Sequence, residues 1–370
     1  MFTFWLKNIE KSSKLSNIVI KIRIYIKGRY NMKKLYILFA IMALLLAGCA
    51  SGSSEKTGSK STGSDKKKKI ALVLPEKIGV NPFFQQMDEG AKKAAKEAGA
   101  DLKTIESTDQ AAIEENLRVA VSEGYDLIIT SSFEAEDALK KVATENPDRK
   151  FAIIDTVVDL PNVQSVTFKE YEAAYLLGAA AGLSTKTNKV GMVAAQDIPM
   201  MKKWTVPFLE GLKATNPNAQ FLVNYVGSFT DPAKAKELAL LQASKGADFI
   251  AGASAVGDLG VFEAAKEKGF YTAGQDVDRT VVDPAHVVLS QLKGTDAAAY
   301  ETVKAFTEGK YKSGEVSYGL KDGGVGVTYV TKDSKTPLNA FVGQAAIDKV
   351  KAIADEIKSG KKTVANPLAK

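Results

Sequence analysis

Cysteine and histidine are almost absent from this sequence, because its 370 residues contain one of each. A single cysteine forms no intramolecular disulfide, and one histidine excludes a metal site built from several Cys and His ligands. The sequence also lacks a GxxxxGKS/T phosphate loop, a GxSxG nucleophile motif and an HExxH zinc motif. His286, close to Pro284 in a predicted loop, is interpreted as a surface residue. These absences argue against an enzyme, and we predict no catalytic residue, metal site or cofactor.

Positive charge is concentrated at the N-terminal end of the chain. The formal net charge is +7, with 50 Lys and Arg residues against 43 Asp and Glu residues. Residues 1–69 hold a net charge of about +12, which leaves about −5 for the remainder. After residue 69, arginine occurs only at Arg118, Arg149 and Arg279. Because a nucleic-acid groove requires clustered cations, this mildly acidic body argues against nucleic-acid binding.

A leader is predicted over residues 1–48, with the true start of translation at Met32. From that methionine the sequence reads MKKLYILFAIMALLLAGC, two lysines followed by an apolar run over residues 35–46, as in secretory signal peptides. The run is shorter than the about 20 apolar residues that a membrane-spanning helix needs. Residues 1–31 would then lie upstream of the start. The alternative is a signal with an unusually long basic segment.

The single cysteine, Cys49, directly follows this leader. Residues 46–49, Leu-Ala-Gly-Cys, resemble the bacterial lipobox, in which the cysteine thiol receives a diacylglyceryl group and becomes the new N-terminus. The alternative, a free cysteine buried in an apolar helix, fits poorly with Gly48 and the polar residues that follow. Residues 49–67, rich in Ser, Gly and Lys, are interpreted as the lipidated cysteine and a flexible tether. We therefore expect an acyl (palmitate-type) anchor on the extracytoplasmic face of the cell membrane.

From Ile70 onward, short apolar runs alternate with helical patterns. Runs such as IALVL, DLIITSS and KFAIID are typical of buried strands, and the series restarts at KVGMVAA, residues 189–195. EGYDLIITSS and KGADFIAGAS occupy corresponding places in two similar halves. The pattern predicts an α/β fold with two doubly wound, parallel-sheet lobes around a cleft. Ligands of such sheets bind beyond the carboxyl ends of the strands.

Several blocks of the sequence resemble the basic membrane protein (BMP) family and occur in the family's order. They include VTFKEYEAAYLLGAAAG, VGMVAAQDIPMMKKW, NYVGSFTDPAKAKELALLQASKGAD and YGLKDGGVG, and the resemblance covers nearly all of residues 68–354. Members are lipoprotein substrate-binding components of ABC importers. The resemblance implies a type I periplasmic-binding-protein fold that closes on a purine nucleoside or a related ring. It also implies an ABC permease as partner, and the chain is expected to be monomeric.

The resemblance further implies two lobes joined by three crossovers. We expect residues 68–167 and 272–292 to form lobe 1, and residues 168–271 and 293–345 to form lobe 2. Residues 346–370 are expected to form a C-terminal helix and tail.

Four candidate binding residues follow from the resemblance. Asp276 in GQDVD and Lys293 in QLKGTD match polar positions of the family and are expected to hydrogen-bond a purine edge or a ribose. Trp204 in QDIPMMKKW and Phe83 in NPFF match aromatic positions. The two rings are expected to enclose a planar ligand, at about 1–3 kcal/mol per stacked base. The alternatives are core packing for the two rings and surface salt bridges for the two charged residues.

Four further residues are predicted to contact the ligand. Asp155 ends the strand FAIID, and Phe133 and Asp137 lie in the segment SSFEAED. Residues 79–82 read Gly-Val-Asn-Pro, where members of the family have an Asn-Asp pair that contacts the sugar. Asn81 is predicted to replace that pair in part.

The missing carboxylate in this first loop leaves the identity of the ligand open. A free purine base or a larger flat ring such as a flavin becomes an alternative to a nucleoside. The stretch NPFFQQMDEG resembles sugar-binding relatives of the same fold, so a receptor for a sugar or a sugar-like signal is a second alternative. A nucleoside-processing enzyme, the third, would need a metal or acid–base cluster that the sequence does not display.

Overall fold

The computed structural model describes residues 67–369. In this range the strands form two six-stranded sheets. The strands are β1 (Lys69–Leu74), β2 (Asp101–Glu106), β3 (Leu127–Ser131), β4 (Lys150–Ile154), β5 (Val163–Phe168), β6 (Lys189–Ala194), β7 (Gln220–Tyr225), β8 (Phe249–Ala253), β9 (Tyr271–Asp276), β10 (Val287–Lys293), β11 (Gly314–Tyr318) and β12 (Val325–Val327).

Helices of ten or more residues follow most of the strands. They are α1 (Pro82–Glu97), α2 (Gln110–Ser122), α3 (Glu136–Glu145), α4 (Glu170–Ser184), α5 (Lys202–Thr215), α6 (Pro232–Ser244), α7 (Asp258–Lys268), α8 (Thr295–Thr307) and α9 (Gln344–Lys358). Asn81 caps α1, because its side chain accepts a hydrogen bond from the backbone N–H of Phe83. Pro82 follows at the first helical position, where its missing N–H costs no hydrogen bond.

The two sheets share one design. The first has the strand order β11-β5-β4-β3-β1-β2 and only parallel pairs. The second has the order β12-β10-β9-β8-β6-β7 and is parallel except for the pair of β10 with β12. Inner strands such as β3 and β8 are buried at every residue, as expected where helices cover both faces of a sheet. The predicted architecture of two doubly wound α/β lobes is confirmed.

Between residues 67 and 369 the chain crosses between the sheets three times, after β5, after β10 and after β11. Two of the predicted lobe assignments are therefore wrong. Residues 272–292 were assigned to lobe 1, but they contain most of β9 and β10, which belong to the second sheet. Residues 293–345 were assigned to lobe 2, but they contain β11, which pairs with β5 of the first sheet. A continuous apolar run indicates a buried strand, but it does not encode which of two similar sheets the strand joins.

The predictions for the leader and for Cys49, and that for the tether except residue 67, fall on residues 1–66, outside the described residues. Within residues 67–369, no helix has both the length and the apolar character required to cross a membrane. Helix α9 covers most of the predicted C-terminal helix.

Candidate functional site

A cleft opens at the carboxyl ends of the strands of both sheets. The empty space within it is about 800 Å³, a figure that includes the part open to solvent. From the side of the first sheet come residues of α1 and of the loops after β1, β3 and β4: Pro75, Glu76, Asn81, Phe83, Phe84, Ser132, Phe133, Glu134 and Asp155. The second sheet and its loops contribute Met200, Met201, Trp204, Phe229, Ala253, Ala255, Gln275, Asp276 and Lys293.

The structure brings most of the predicted site residues together. The cleft lining includes Asn81, Phe83, Phe133, Asp155, Trp204, Asp276 and Lys293. Asp137 does not belong to the lining, because it lies exposed in the first turn of α3, where the helix directs it to solvent. The placement of Asp137 in the site is therefore wrong. Contact of the other residues with a ligand stays a prediction.

Lys293 lies at the centre of a buried network of charges. Its Nζ atom is 2.9 Å from Oδ1 of Asp155 and 3.0 Å from Oε1 of Glu170. Lys203 also donates to Glu170, with Nζ 2.9 Å from Oε2. Lys293 was predicted to bind the ligand directly, whereas its ammonium is paired with two carboxylates in the structure. Glu170 was missed although it lies in the family block VTFKEYEAAYLLGAAAG, because it starts an apolar helix and nothing in that block records its pairing with the distant Lys293.

Burial and opposite charge compete in this network. Burial raises the pKa of Asp155 to about 6, although the nearby Lys293 ammonium acts in the opposite direction. Burial alone would also raise the pKa of Glu170, but Lys293 and Lys203 outweigh it and lower that pKa to about 2. Burial raises the pKa of Asp276 as well. Burial lowers the pKa of Lys293, but Asp155, Glu170 and Asp276 outweigh it and leave the pKa above its usual value. The ammonium therefore stays charged and joins both sides of the cleft.

Aromatic rings surround this ammonium. The Nζ atom of Lys293 lies 4.8 Å from the ring centroid of Trp204 and 5.4 Å from that of Phe83, within the range of cation–π attraction. The indole N–H of Trp204 donates to Oε1 of Gln275 at 3.0 Å. The rings of Trp204 and Phe83, which were expected to enclose a ligand, therefore both lie next to the Lys293 ammonium. Gln275 orients the indole of Trp204.

A second aromatic pair spans the cleft. Phe133 follows β3 of the first sheet and Phe229 follows β7 of the second, and their ring centroids are 6.2 Å apart with the planes tilted by 46°. Phe133 was predicted from the sequence. Phe229 was missed although it lies in the family block NYVGSFTDPAKAKELALLQASKGAD, because its position opposite Phe133 depends on the packing of the two lobes. A planar ligand in the cleft would contact rings from both lobes.

Two glutamates of the lining were also missed. Glu76, after β1, accepts a hydrogen bond from Nδ2 of Asn81 at 2.9 Å. Glu134, after β3, has a buried Oε2 atom without a hydrogen-bond partner among the described residues. Both lie in loops that the sequence places near the ligand, but a loop glutamate is usually solvated, and nothing in the sequence marks these two as half-buried.

Backbone strain is concentrated at the same place. Ser132, Asp155, Ala255 and Asp276 all have positive φ angles, of 68°, 80°, 53° and 70°, and all four line the cleft. A non-glycine residue in this region costs about 1–3 kcal/mol and persists where the surrounding structure holds it. Such strain is typical of functional sites and supports this cleft as the binding site. Within residues 67–369, no three His, Cys, Asp or Glu side chains are arranged to hold a metal ion.

Comparisons with known proteins agree with this geometry. The family model described as ABC transporter substrate-binding protein PnrA-like matches residues 67–363. An ABC transporter nucleoside-binding protein, BmpA of Lactococcus lactis, is 30% identical over 323 residues, which cover 80% of this chain and 91% of that protein. An uncharacterized lipoprotein of Pyrococcus abyssi is 32% identical over 317 residues, 80% of this chain and 77% of that protein. A solute-binding protein of an ABC transporter system from Aeropyrum pernix has a crystal structure with a TM-score of 0.73 at 26% identity, covering 82% of this chain and 94% of that one.

Proposed function

This chain belongs to the family of PnrA-like ABC transporter substrate-binding proteins, and from that premise we propose that its cleft binds a purine nucleoside or a related heteroaromatic ring. As a member of that family it is a binding protein rather than an enzyme. It would deliver the ligand to an ABC permease. The finer assignment of a purine ligand draws on the relative named as nucleoside-binding and on the chemistry of the cleft.

The ligand class is inferred from one observation, that the cleft combines aromatic rings from both lobes with hydrogen-bonding groups between them. Phe133 and Phe229 face each other across it, and Trp204 lies deeper. Asp276 and Glu76 add acceptors that suit ribose hydroxyls or ring N–H groups. A flat ring with polar edges matches this lining better than an aliphatic or a purely polyhydroxylated ligand does.

Calorimetric titration of the protein from residue 65 onward, which forms one compact unit, tests the proposal. We expect saturable binding of at least one member of a panel containing adenosine, guanosine, inosine, hypoxanthine and riboflavin, without conversion of the ligand. We also expect Trp204→Ala to weaken the best ligand by about 1–3 kcal/mol, because a stacking surface is lost, or roughly 5- to 150-fold in Kd.

Trp204→Phe is the matched control, since it retains an aromatic ring, although a smaller one, and loses the N–H that donates to Gln275. Its affinity should stay closer to wild type than that of Trp204→Ala, with folding of both variants checked by thermal unfolding. Binding of glucose or ribose alone, with none of the heteroaromatic compounds, would replace this proposal by the sugar-receptor alternative.

The lipid anchor at Cys49 is part of the same proposal, supported by the lipobox-like sequence and by a relative named as a lipoprotein. When the full chain is expressed in bacteria, we expect Cys49→Ala to move the protein from the membrane fraction to the soluble or secreted fraction, or to leave the leader uncleaved. Ser51→Ala, two residues away, should behave like wild type. Membrane retention of a correctly cleaved Cys49→Ala chain would contradict the anchor.

A further inference from the structure

Glu134 has no assigned role, and its environment is unusual for a carboxylate. It lies in the 3-10 turn Phe133–Ala135, directly after β3, and it lines the cleft. Its Oε2 atom is buried and has no hydrogen-bond partner within residues 67–369. Buried polar atoms in folded proteins are nearly always paired, so an exception at a binding site points to a partner that the ligand supplies.

The charged groups around Glu134 do not neutralise it. Glu76, on the loop after β1, and Asp155, at the end of β4, both repel its negative charge. The cation of the cleft, Lys293, is held by Asp155 and Glu170. Burial, reinforced by the two neighbouring carboxylates, raises the pKa of Glu134 to about 7. A ligand that donates hydrogen bonds to this carboxylate would relieve both the burial and the repulsion.

We propose that Glu134 is a specificity-determining residue, which accepts hydrogen bonds from a ring edge that carries adjacent N–H donors. This inference rests on the proposed function and adds the choice among purines. An ionised carboxylate only accepts hydrogen bonds, and bonds to a charged acceptor are stronger than neutral ones. Guanine presents N1–H beside an amino group, hypoxanthine presents N1–H alone, and adenine presents the lone pair of N1. The expected order of affinity is guanosine, then inosine, then adenosine.

The experiment compares two ratios of Kd, inosine to guanosine and adenosine to guanosine, by calorimetry at pH 8 for wild type and for Glu134→Gln. Wild type should bind guanosine about tenfold or more tightly than inosine, because the ligands differ only in the amino group that donates to the carboxylate. In Glu134→Gln this preference should fall to about twofold or less. Asp137→Asn, which removes a nearby but exposed carboxylate outside the cleft, should keep the wild-type ratio.

Thermal unfolding of the ligand-free protein shows whether Glu134→Gln impairs folding or only ligand recognition. The folded-state pKa of Glu134 lies above its usual value of 4.5, so the ionised group opposes folding above pH 7 and no longer does so below about pH 4.5. Glu134→Gln should therefore unfold at a temperature equal to or above that of wild type at pH 8.

Two results would overturn the inference while leaving the proposed function intact. One is a wild type that binds guanosine no more tightly than inosine. The other is a Glu134→Gln variant that keeps the wild-type ratio. A wild type that binds no purine nucleoside at all is a different failure, because it removes the proposed ligand class and this inference with it.

Discussion

Lys293→Met is expected to lower the free energy of unfolding by about 3–5 kcal/mol at pH 8, the usual loss when one partner of a buried ion pair is removed. In the wild type, the ammonium lies 2.9 Å from Asp155 and 3.0 Å from Glu170, both almost fully buried. Methionine fills a similar volume but leaves two carboxylates without their main cation. Urea denaturation of the two proteins measures the difference.

The loss of stability in Lys293→Met should be larger at pH 8 than at pH 5. The pKa of Glu170 is lowered to about 2 in the folded state, so its ionised form stabilises the fold above about pH 4.5, and removal of Lys293 takes away much of that gain. The pKa of Asp155 is already raised to about 6, so without the lysine its charge opposes folding more strongly at pH 8. At pH 5 Asp155 is largely protonated, and the difference between variant and wild type should shrink.

Two other lysines provide controls. Among the described residues Lys203 pairs with Glu170 alone, so Lys203→Met should lower the stability less than Lys293→Met does. Lys310 forms an exposed pair with Glu308, and Lys310→Met should change stability by less than about 1 kcal/mol. If the stability of Lys293→Met at pH 8 were also within about 1 kcal/mol of wild type, the buried network would not stabilise the fold as described.

This network has a functional consequence, because it joins the two sheets. Asp155 follows β4 of the first sheet, whereas Lys293 ends β10 of the second and immediately precedes a crossover. If opening of the cleft separates these two ends, the ion pair favours the closed state. Closure on a ligand then shifts an existing equilibrium by the difference in ligand affinity between the two states.

The sequence predicts the fold well, because the spacing of apolar residues along a strand or helix is a local property of the sequence. Runs such as IALVL and DLIITSS become β1 and β3, and strand ends such as Asp155 and Asp276 reach the cleft because parallel strands end at one edge of the sheet. The direction of Asp137 could not be predicted from the same logic, because it depends on where the 3-10 turn ends and α3 begins.

Other features of the site depend on contacts between distant parts of the chain. The pairing of Lys293 with Asp155 joins residues 138 positions apart, and no pattern within either segment records it. The burial of Glu134 and the facing position of Phe229 likewise arise from the packing of two lobes. For the same reason, β9 and β10 were assigned to the wrong sheet.

Gly178→Ala is expected to lower the free energy of unfolding by about 2–3 kcal/mol, as overpacking of a tight contact does. Helices α4 and α5 cross so closely that a Cβ atom at Gly178 would lie 2.0 Å from the carbonyl oxygen of Phe208. This backbone oxygen cannot rotate away, so the helices must separate. The gain of about 1 kcal/mol from the better helix propensity of alanine offsets only part of the strain. Urea denaturation tests this, with the exposed Glu210→Ala on α5 as a control that should change little.

The same crossing positions the cleft, since Glu170 starts α4 while Lys203 and Trp204 lie in the first turn of α5. Gly178→Ala should therefore also weaken ligand binding, although residue 178 lies outside the cleft lining. A Cβ at Gly211 on α5 would meet the carbonyl oxygen of Tyr175 at 2.0 Å, the reciprocal contact of the same crossing. Once one substitution has separated the helices, the second has less to displace. The double variant should thus lose less stability than the summed losses of the two single variants. Strictly additive losses would show that the two substitutions disturb separate contacts.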